Sequence, residues 1–390
     1  MTSILVTGGS GFIGQHLVSA LVQQGGQVRV LDIRSPNSAL PQVEYVQGSV
    51  LDPALVDHSV RGVDRVYHLA GHPGMWMPSK ADFHEINCRG TEIVISAARK
   101  HGVERFLHCS TESILFRRSA SSDSAEGTLL SADEMPGPYT RSKMLAEQFA
   151  VQAANSGFPV VIGTPTMPIG PHDCNLTPPT AMLRHFLTGR LQLYLDFIVN
   201  LVDVRDVAAG LILTMERGQV GHRYLLGGES IPLKKILRLV ASISGGRRVQ
   251  IPVCGAVAKT AAAALEFVAD HVTRRPPSGT AEGVRIALRA TTLSTRKAEH
   301  ELGYAPGPVE PAAAELHVRP VAIPGEVAGP ALHGTDTRRR AWTGRAQKRS
   351  GGIREQGNRP AQRMNRIARS EIAPTVAAGS GEGDLEPAAA

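Results

Sequence analysis

The chain has few cysteines, few aromatic residues and no long apolar run. Only four cysteines occur in 390 residues. Cys88, Cys109, Cys174 and Cys254 are scattered, with no C-x-x-C pair and no metal-ligand spacing. That pattern excludes a zinc ribbon or a redox dithiol, and it predicts a reducing, cytoplasmic compartment without disulfides or a metal. No apolar run reaches the ~18–20 residues that cross a bilayer. The nearest, Val253 to Val268, is interrupted by Lys259 and Glu266 and reads as a packed or interfacial helix. No secretory leader precedes the first apolar run, which begins at Ser3. The net charge of +7 comes from one stretch: Thr335 to Arg369 carries eleven Lys or Arg and two Asp or Glu, a local +9, leaving about −2 elsewhere. Trp342 is the one aromatic residue in that stretch. Without stacking aromatics, no nucleic-acid partner is expected.

The most informative segment is Thr7-Gly-Gly-Ser-Gly-Phe-Ile-Gly14. It follows the strand-like run Ser3 to Val6 and leads into Phe12, Ile13, Leu17, Val18, Leu21 and Val22, spaced as one face of a helix. Strand, glycine turn and helix together make a pyrophosphate cradle of backbone N–H groups at a helix N-terminus. Gly8 or Gly9 serves the sharp turn, Gly11 the close approach of ligand, and Gly14 the packing of the helix. The next strand, Gln27 to Leu31, ends at Asp32, where an acid for the ribose 2′-hydroxyl is expected.

Short apolar runs alternate with helical patterns up to about Thr164. The runs are Ile4–Val6, Val28–Leu31, Val43–Val46, Val66–Leu69, Phe106–Cys109 and Val160–Ile162; the clearest helices are Thr91–His101 and Tyr139–Ala154. Such alternation predicts an α/β, Rossmann-type doubly wound parallel sheet over residues 1–164. Residues 165–310 are less regular and read as a smaller substrate lobe, with a helix from Val204 to Glu216 and a strand at Tyr224–Leu226. From about Pro311 to 390, Ala, Gly, Pro and Arg dominate and periodicity is lost, which predicts a disordered basic tail. The change near Glu315 is also the kind that a shifted reading frame in a GC-rich gene produces.

Tyr139 and Lys143 form the second constellation. Four residues apart on a helix, they share a face. A nearby ammonium lowers a phenol's pKa, so the pair can exchange a proton with a carbinol or ketone while hydride moves to or from a nicotinamide. Cys109-Ser-Thr-Glu-Ser113 ends the fifth predicted strand, at the sheet edge where ligands bind. A hydroxyl there, Thr111 ahead of Ser110 and Ser113, can hold the substrate oxygen for Tyr139, or can simply cap the next turn. His72, Trp76, His84, His172 and Arg184 fall in or near loops that could touch substrate, although packing or surface roles are the default for each. Asp203 and Asp206 read as helix caps, with no third ligand spaced for a metal.

In these motifs the chain resembles the extended short-chain dehydrogenase/reductases, the NAD-dependent epimerase/dehydratase family. The matching segments, in order, are 7–14, Gly-Ser-Val-Leu-Asp (48–52), His-Leu-Ala-Gly (68–71), Asn87 with Gly90-Thr91, 109–113, and Tyr-Thr-Arg-Ser-Lys-Met-Leu-Ala-Glu (139–147). More narrowly it is similar to the hopanoid-associated sugar epimerase and dihydroflavonol reductase-like group, through Pro-Thr-Met-Pro-Ile-Gly-Pro-His-Asp (165–173), residues 200–208, 223–229 and 301–306. The resemblance implies catalytic roles for Thr111, Tyr139 and Lys143. It implies cofactor contacts from Gly8, Gly11, Phe12, Ile13, Gly14, Asp32, Arg34, Asp52 (at the adenine), Leu69, Ala70, Gly71, Tyr139, Lys143 and Pro165. It further implies hydride transfer on a nucleotide sugar or related hydroxy or keto small molecule, and a homodimer. A ketone reductase or hydroxysteroid-type dehydrogenase and a non-catalytic dinucleotide sensor are the alternatives. Asp32 would accept hydrogen bonds from ribose hydroxyls and repel a 2′-phosphate, which favours NAD; Arg34 leaves NADP as the other option. The order Glu112-Ser113 departs from the acidic pair of the dehydratases.

Overall fold

The structure is a computed structural model, and it describes residues 2–116, 128–129, 131–188, 191–244 and 249–318. Residues 319–390, which hold most of the expected disordered tail, lie outside the described residues.

Strands form where the sequence runs apolar. They are β1 (Ser3–Thr7), β2 (Gln27–Asp32), β3 (Glu44–Gln47), β4 (Arg65–His68), β5 (Arg105–Cys109), a short pair β6 (Leu115–Phe116) and β7 (Thr128–Leu129), and β8 (Val160–Pro165). Then follow β9 (Met167–Ile169), β10 (Leu191–Tyr194), β11 (Ile198–Asp203), β12 (Arg223–Leu226), β13 (Ser230–Pro232) and β14 (Val249–Pro252). Seven of them pair parallel in the order β12-β8-β5-β4-β1-β2-β3. The period-2 alternation of a strand sends Ile4, Val6, Val28 and Val30 to one face and Leu5, Leu31, Val66 and Phe106 to the other. Both faces are therefore buried, as an all-parallel sheet requires.

The first face is covered by α1 (Phe12–Gln23) and the second by α2 (Pro53–Val60), α3 (Gly90–Lys100) and α4 (Pro138–Asn155). A π-helical turn, His84–Arg89, leads into α3 and carries Asn87.

After β8 the chain leaves the sheet, adds β9 and β11 to a small three-stranded sheet with β13, and places α5 (Pro178–Thr188) beside it. It then returns through α6 (Val204–Arg217) and β12. These two elements follow residue 165 in the chain yet belong to the large sheet: α6 packs with α1, and Leu211 and Met215 join the same cluster as Leu17. The reading from local pattern, which counted them with the substrate lobe, could not register this long-range pairing. The lobe's own core gathers Ile169, Leu183, Phe186, Val199, Leu201 and Ile236 with Val309, Ala312 and Ala313. α7 (Leu233–Ser244), α8 (Gly255–Val268), α9 (Ala281–Arg289) and α10 (Glu310–Val318) complete it. Residues 311–318, expected in the disordered tail, are thus helical, because Ala312 and Ala313 have an apolar pocket to fill.

A buried ion pair joins α4 to the sheet edge: Arg223 donates through both Nε and Nη2 to Glu147, which is fully buried. Breaking such a pair strands a charge in a dry interior. Arg223→Met is expected to lower the free energy of unfolding by roughly 3–5 kcal/mol. Urea denaturation of the variant beside the parent measures it, and a loss below about 1 kcal/mol would match a surface pair instead.

Candidate active site

The strand order reverses between β1 and β4, which opens a crevice at the carboxyl ends of the strands. The glycine turn closes one side of it. Gly8 has φ +74°, and a Cβ there would lie 2.7 Å from the backbone N of Ala70, two residues past β4. Gly14 has still less room: a Cβ would meet the carbonyl oxygen of Gly8 at 2.2 Å. Glycine at both places lets α1 start directly on the turn, with its N-terminal N–H groups facing the crevice. Asp32 ends β2 and ties the turn down. Its carboxylate accepts from Ser10 N and Arg34 N, each at 3.0 Å. Arg34 donates across the crevice to Asn175.

The opposite side is built on β5 and α4. Tyr139, at the N-terminal turn of α4, is buried beside Thr111, which follows β5. Burial pushes the Tyr139 phenol up to about 12; the hydrogen bond to Thr111 pulls the other way, and the carboxylate of Glu282 pushes it further up. Lys143 sits one turn on but donates to the carbonyl oxygen of Cys109 at 2.8 Å. The expected lowering of the phenol's pKa by this ammonium is therefore replaced by the cost of desolvating a phenolate. Burial also lowers the pKa of Lys143 itself. Thr111 has a capping role besides, accepting from Ser113 N at 3.2 Å. Glu112, next to it, has its carboxyl raised to about 8 by burial.

Buried polar groups link the two sides. Asn87 accepts from His72 N at 2.7 Å and donates to Ser142 Oγ at 2.9 Å, and Ser142 donates to the carbonyl of Tyr139 at 2.7 Å. Thr91 donates to Asn87 O at 2.7 Å and so receives the Nε2–H of His68 at 3.0 Å; His68 Nδ1 then accepts from Thr7 Oγ1 at 2.7 Å. Burial holds His68 neutral, its pKa pushed down to about 3, as this arrangement requires.

Local sequence gave no signal for Glu282. It lies buried at the start of α9 and reaches the N-terminus of α4, accepting from Tyr139 N at 3.2 Å, Thr140 N at 2.7 Å and Thr140 Oγ1 at 2.8 Å. These are the orphan donors of the first helical turn. Gly137 makes room, since a Cβ there would lie 2.5 Å from the carboxylate. Only pairing across 143 positions reveals this contact.

One cavity of about 610 Å³ holds the constellation. Gly8, Gly11, Phe12, Ile13, Gly14, Asp32, Arg34, Leu69, Ala70, Gly71, Thr111, Tyr139, Lys143 and Pro165 all line it. Asp52 is not among them. Its side chain caps α2, accepting from Ala54 N and Leu55 N at 3.0 and 3.1 Å, and Ser49, Val50 and Leu51 take its place on the wall. His72 lines the cavity, whereas Trp76 donates to Asp270 at 2.7 Å in the packing of α8, and His84 lies exposed beside Glu85. His172 offers its carbonyl to Gln15, and Arg184 is half-buried on α5 outside the lining. Asp203 caps α6 and Asp206 accepts from Gly307 N. Among the described residues no three His, Cys, Asp or Glu side chains converge on a metal position, and no helix is long and apolar enough to cross a membrane.

Residues 4–227 match the model of the NAD dependent epimerase/dehydratase family. A relative described as a putative dihydroflavonol 4-reductase, from Synechocystis sp., is 32% identical over 317 residues, covering 80% of this chain and 92% of its own. A 2-alkyl-3-oxoalkanoate reductase from Stenotrophomonas maltophilia is 34% identical over 263 residues, 63% of this chain and 77% of that one. The crystal structure of gox2253 superposes with a TM-score of 0.69 at 30% identity, covering 82% of this chain and 97% of that one.

The position of Glu112 has a consequence for pH. A carboxyl whose folded pKa is raised binds its proton more tightly in the native state, so its contribution to stability falls as pH rises from about 4.5 to about 8. Glu112→Gln is expected to remove that slope, gaining stability relative to the parent at about pH 9 but not at about pH 4. Urea unfolding at both pH values measures it, and a constant difference between the two proteins would contradict the buried, protonated carboxyl.

Proposed function

The chain belongs to the NAD-dependent epimerase/dehydratase family, enzymes of the extended short-chain dehydrogenase/reductase type, and from this we propose that it moves hydride between a nicotinamide dinucleotide and the carbinol or ketone carbon of a small molecule. The observation that carries this reading is the meeting of the glycine turn with Thr111, Tyr139 and Lys143 in one cavity.

The cradle fits a dinucleotide. The room left at Gly8 and Gly14, and the N-terminus of α1 above them, suit a pyrophosphate. Gly11, Phe12 and Ile13 would offer backbone N–H groups. Asp32 uses two of its roughly four lone-pair sites on Ser10 and Arg34, leaving acceptors for ribose hydroxyls. Leu69, Ala70, Gly71 and Pro165 would flank the nicotinamide half, and Lys143 would hold its ribose. When bound, the dinucleotide supplies or accepts the hydride.

The residues of the chain supply the proton. Tyr139, held as a phenol by burial, is suited to donate its O–H to a substrate oxygen as a carbonyl is reduced. Thr111, already bonded to that phenol, would hold the same oxygen in line. Glu282 and the Ser142–Asn87 pair fix the turn of helix that carries Tyr139. In this reading Glu282 is a positioning residue.

Among the alternatives for the substrate, the apolar part of the cavity wall, shared by the lobe and the segments after β4 and β5, supports an apolar ketone or alcohol over a nucleotide sugar. Met75, Leu115, Phe116, Met182, Phe197, Ile286 and Leu293 contribute to the wall. Such a surface favours a hydrocarbon body, with Thr166, Asn175, Thr177 and Asn200 among the polar groups of the same lining. This makes the reductase or dehydrogenase alternative the preferred one.

Tyr139→Phe is expected to lower turnover at least about 100-fold, the scale of a general acid, while dinucleotide binding changes little. Steady-state kinetics on cyclic and long-chain ketones, with fluorescence titration of NADH, tests both halves, and turnover near the parent's would refute the assignment. For the cofactor, Asp32 predicts tighter binding of NAD(H) than of NADP(H), with the preference reduced in Asp32→Ser. Tighter NADP(H) binding that weakens in Arg34→Ala would reverse it.

A further inference from the structure

Helix α8 is turned inside out. On an amphipathic helix of a globular protein the bulky apolar stripe faces the core. Here Val257, Ala261, Ala264, Leu265, Val268 and Val272 form a stripe at helical spacing along α8 and the turn after it, and all six are exposed. Phe267 stands beside the stripe at 62% exposure and Val272 ends it at 71%. The buried face carries small or charged residues: Ala262, Glu266, Ala269 and Asp270.

The neighbouring strands continue the pattern. Leu193 of β10 pairs with Ile251 of β14, and both are exposed, as is Val249 two residues before. Nine of the eleven large apolar side chains exposed among the described residues belong to this group: Leu193, Val249, Ile251, Val257, Leu265, Phe267, Val268, Val272 and Leu288. A concentration of this kind marks an interaction surface.

Charge identifies the partner. Between Val249 and Arg289 there are three acids, and each is turned inward. Glu266 pairs with Lys80 at 3.4 Å and accepts from Ala281 N at 3.0 Å; Asp270 pairs with Lys80 at 3.2 Å and with Trp76; Glu282 caps α4. Two bases, Arg285 and Arg289, are exposed but bonded, to the carbonyls of Pro136 and Glu134. Lys259, Arg274 and Arg275 are exposed. The surface is therefore apolar in its centre and cationic at its edge. Because the three acids of residues 249–289 are already bonded, a second copy docked face to face would offer Lys259, Arg274 and Arg275 no carboxylate from this segment, which opposes an isologous dimer here. An anionic bilayer complements both features, taking the apolar stripe below its headgroups and the cations among its phosphates.

We propose that the α8 face, with the adjoining β10–β14 strands, is a docking surface for anionic lipid, on which the protein lies without spanning the bilayer. The face adjoins the cavity wall: Leu288 of α9 packs over Gly255 at the start of α8, while Ile286 and Ala287 of α9 line the cavity.

The test is flotation of the full-length chain with vesicles of phosphatidylcholine alone and of phosphatidylcholine mixed with phosphatidylglycerol. The parent is expected to float with the anionic vesicles at low salt and to release as salt rises. Phe267→Asp with Val272→Asp, and separately Arg274→Ser with Arg275→Ser, should each reduce the bound fraction about tenfold or more. Their melting temperatures should stay at the parent's, since all four side chains are exposed. Binding unchanged in both variants would assign it to the basic stretch 335–369 and overturn the proposal. Equal flotation with neutral vesicles would do the same. So would a fall in sedimenting mass in the aspartate variant, which would make the face a protein interface.

Discussion

The cavity depends on one buried chain of hydrogen bonds, from Thr7 through His68, Thr91, Asn87 and Ser142 to the carbonyl of Tyr139. It runs from the last residue of β1, beneath the glycine turn, to the helix that carries the phenol. Polar groups sealed from water must be paired, and here each donor has one acceptor to satisfy. Only one tautomer of His68 completes the series, and burial keeps that ring neutral. The end of β1 beneath the glycine turn and the helical turn of Tyr139 are therefore held in a common frame by the cost of leaving any link unmade.

A second constraint comes from the far end of the chain. The carboxylate of Glu282 replaces the missing acceptors at the N-terminus of α4, and Arg285 and Arg289 on the same helix bind the carbonyls of Pro136 and Glu134 just before it. α9 thereby clamps the start of α4 while its inner side forms part of the cavity wall. The α9 residues that line the cavity, Gly283, Ile286 and Ala287, therefore lie on a helix bonded to the backbone of Tyr139. The lobe thus helps fix the backbone of the turn that carries Tyr139 as well as forming part of the cavity wall.

Much of the fold could be read locally because its signals are local. Val, Ile and Leu in short runs, glycines at a tight turn and helical spacing after it depend on neighbours within a few residues, and they located β1, β2, β4, β5 and β8 along with α1, α3 and α4. Asp203 before α6 was readable for the same reason, as a cap acts within one turn. Elsewhere a motif match and local chemistry diverged. Asp52 fits a cofactor pattern, yet a carboxylate just ahead of Pro53 is drawn to the free N–H groups of α2. Tyr139 and Lys143 were found by spacing, but their electrostatics were not, because desolvation is set by how deeply the folded cavity buries them.

By itself the sequence determined a doubly wound parallel sheet, a glycine turn at its switch point and a tyrosine and lysine on one face of a later helix, since each rests on periodicity or spacing along a few residues. Tertiary structure alone decided that α6 and β12 return to the sheet, that Glu282 caps α4, that Glu112 is held up to about 8, and that α8 shows its apolar stripe to solvent. These last features depend on which distant surfaces meet and which are left uncovered. That is a matter of three-dimensional packing and desolvation, which no local pattern encodes.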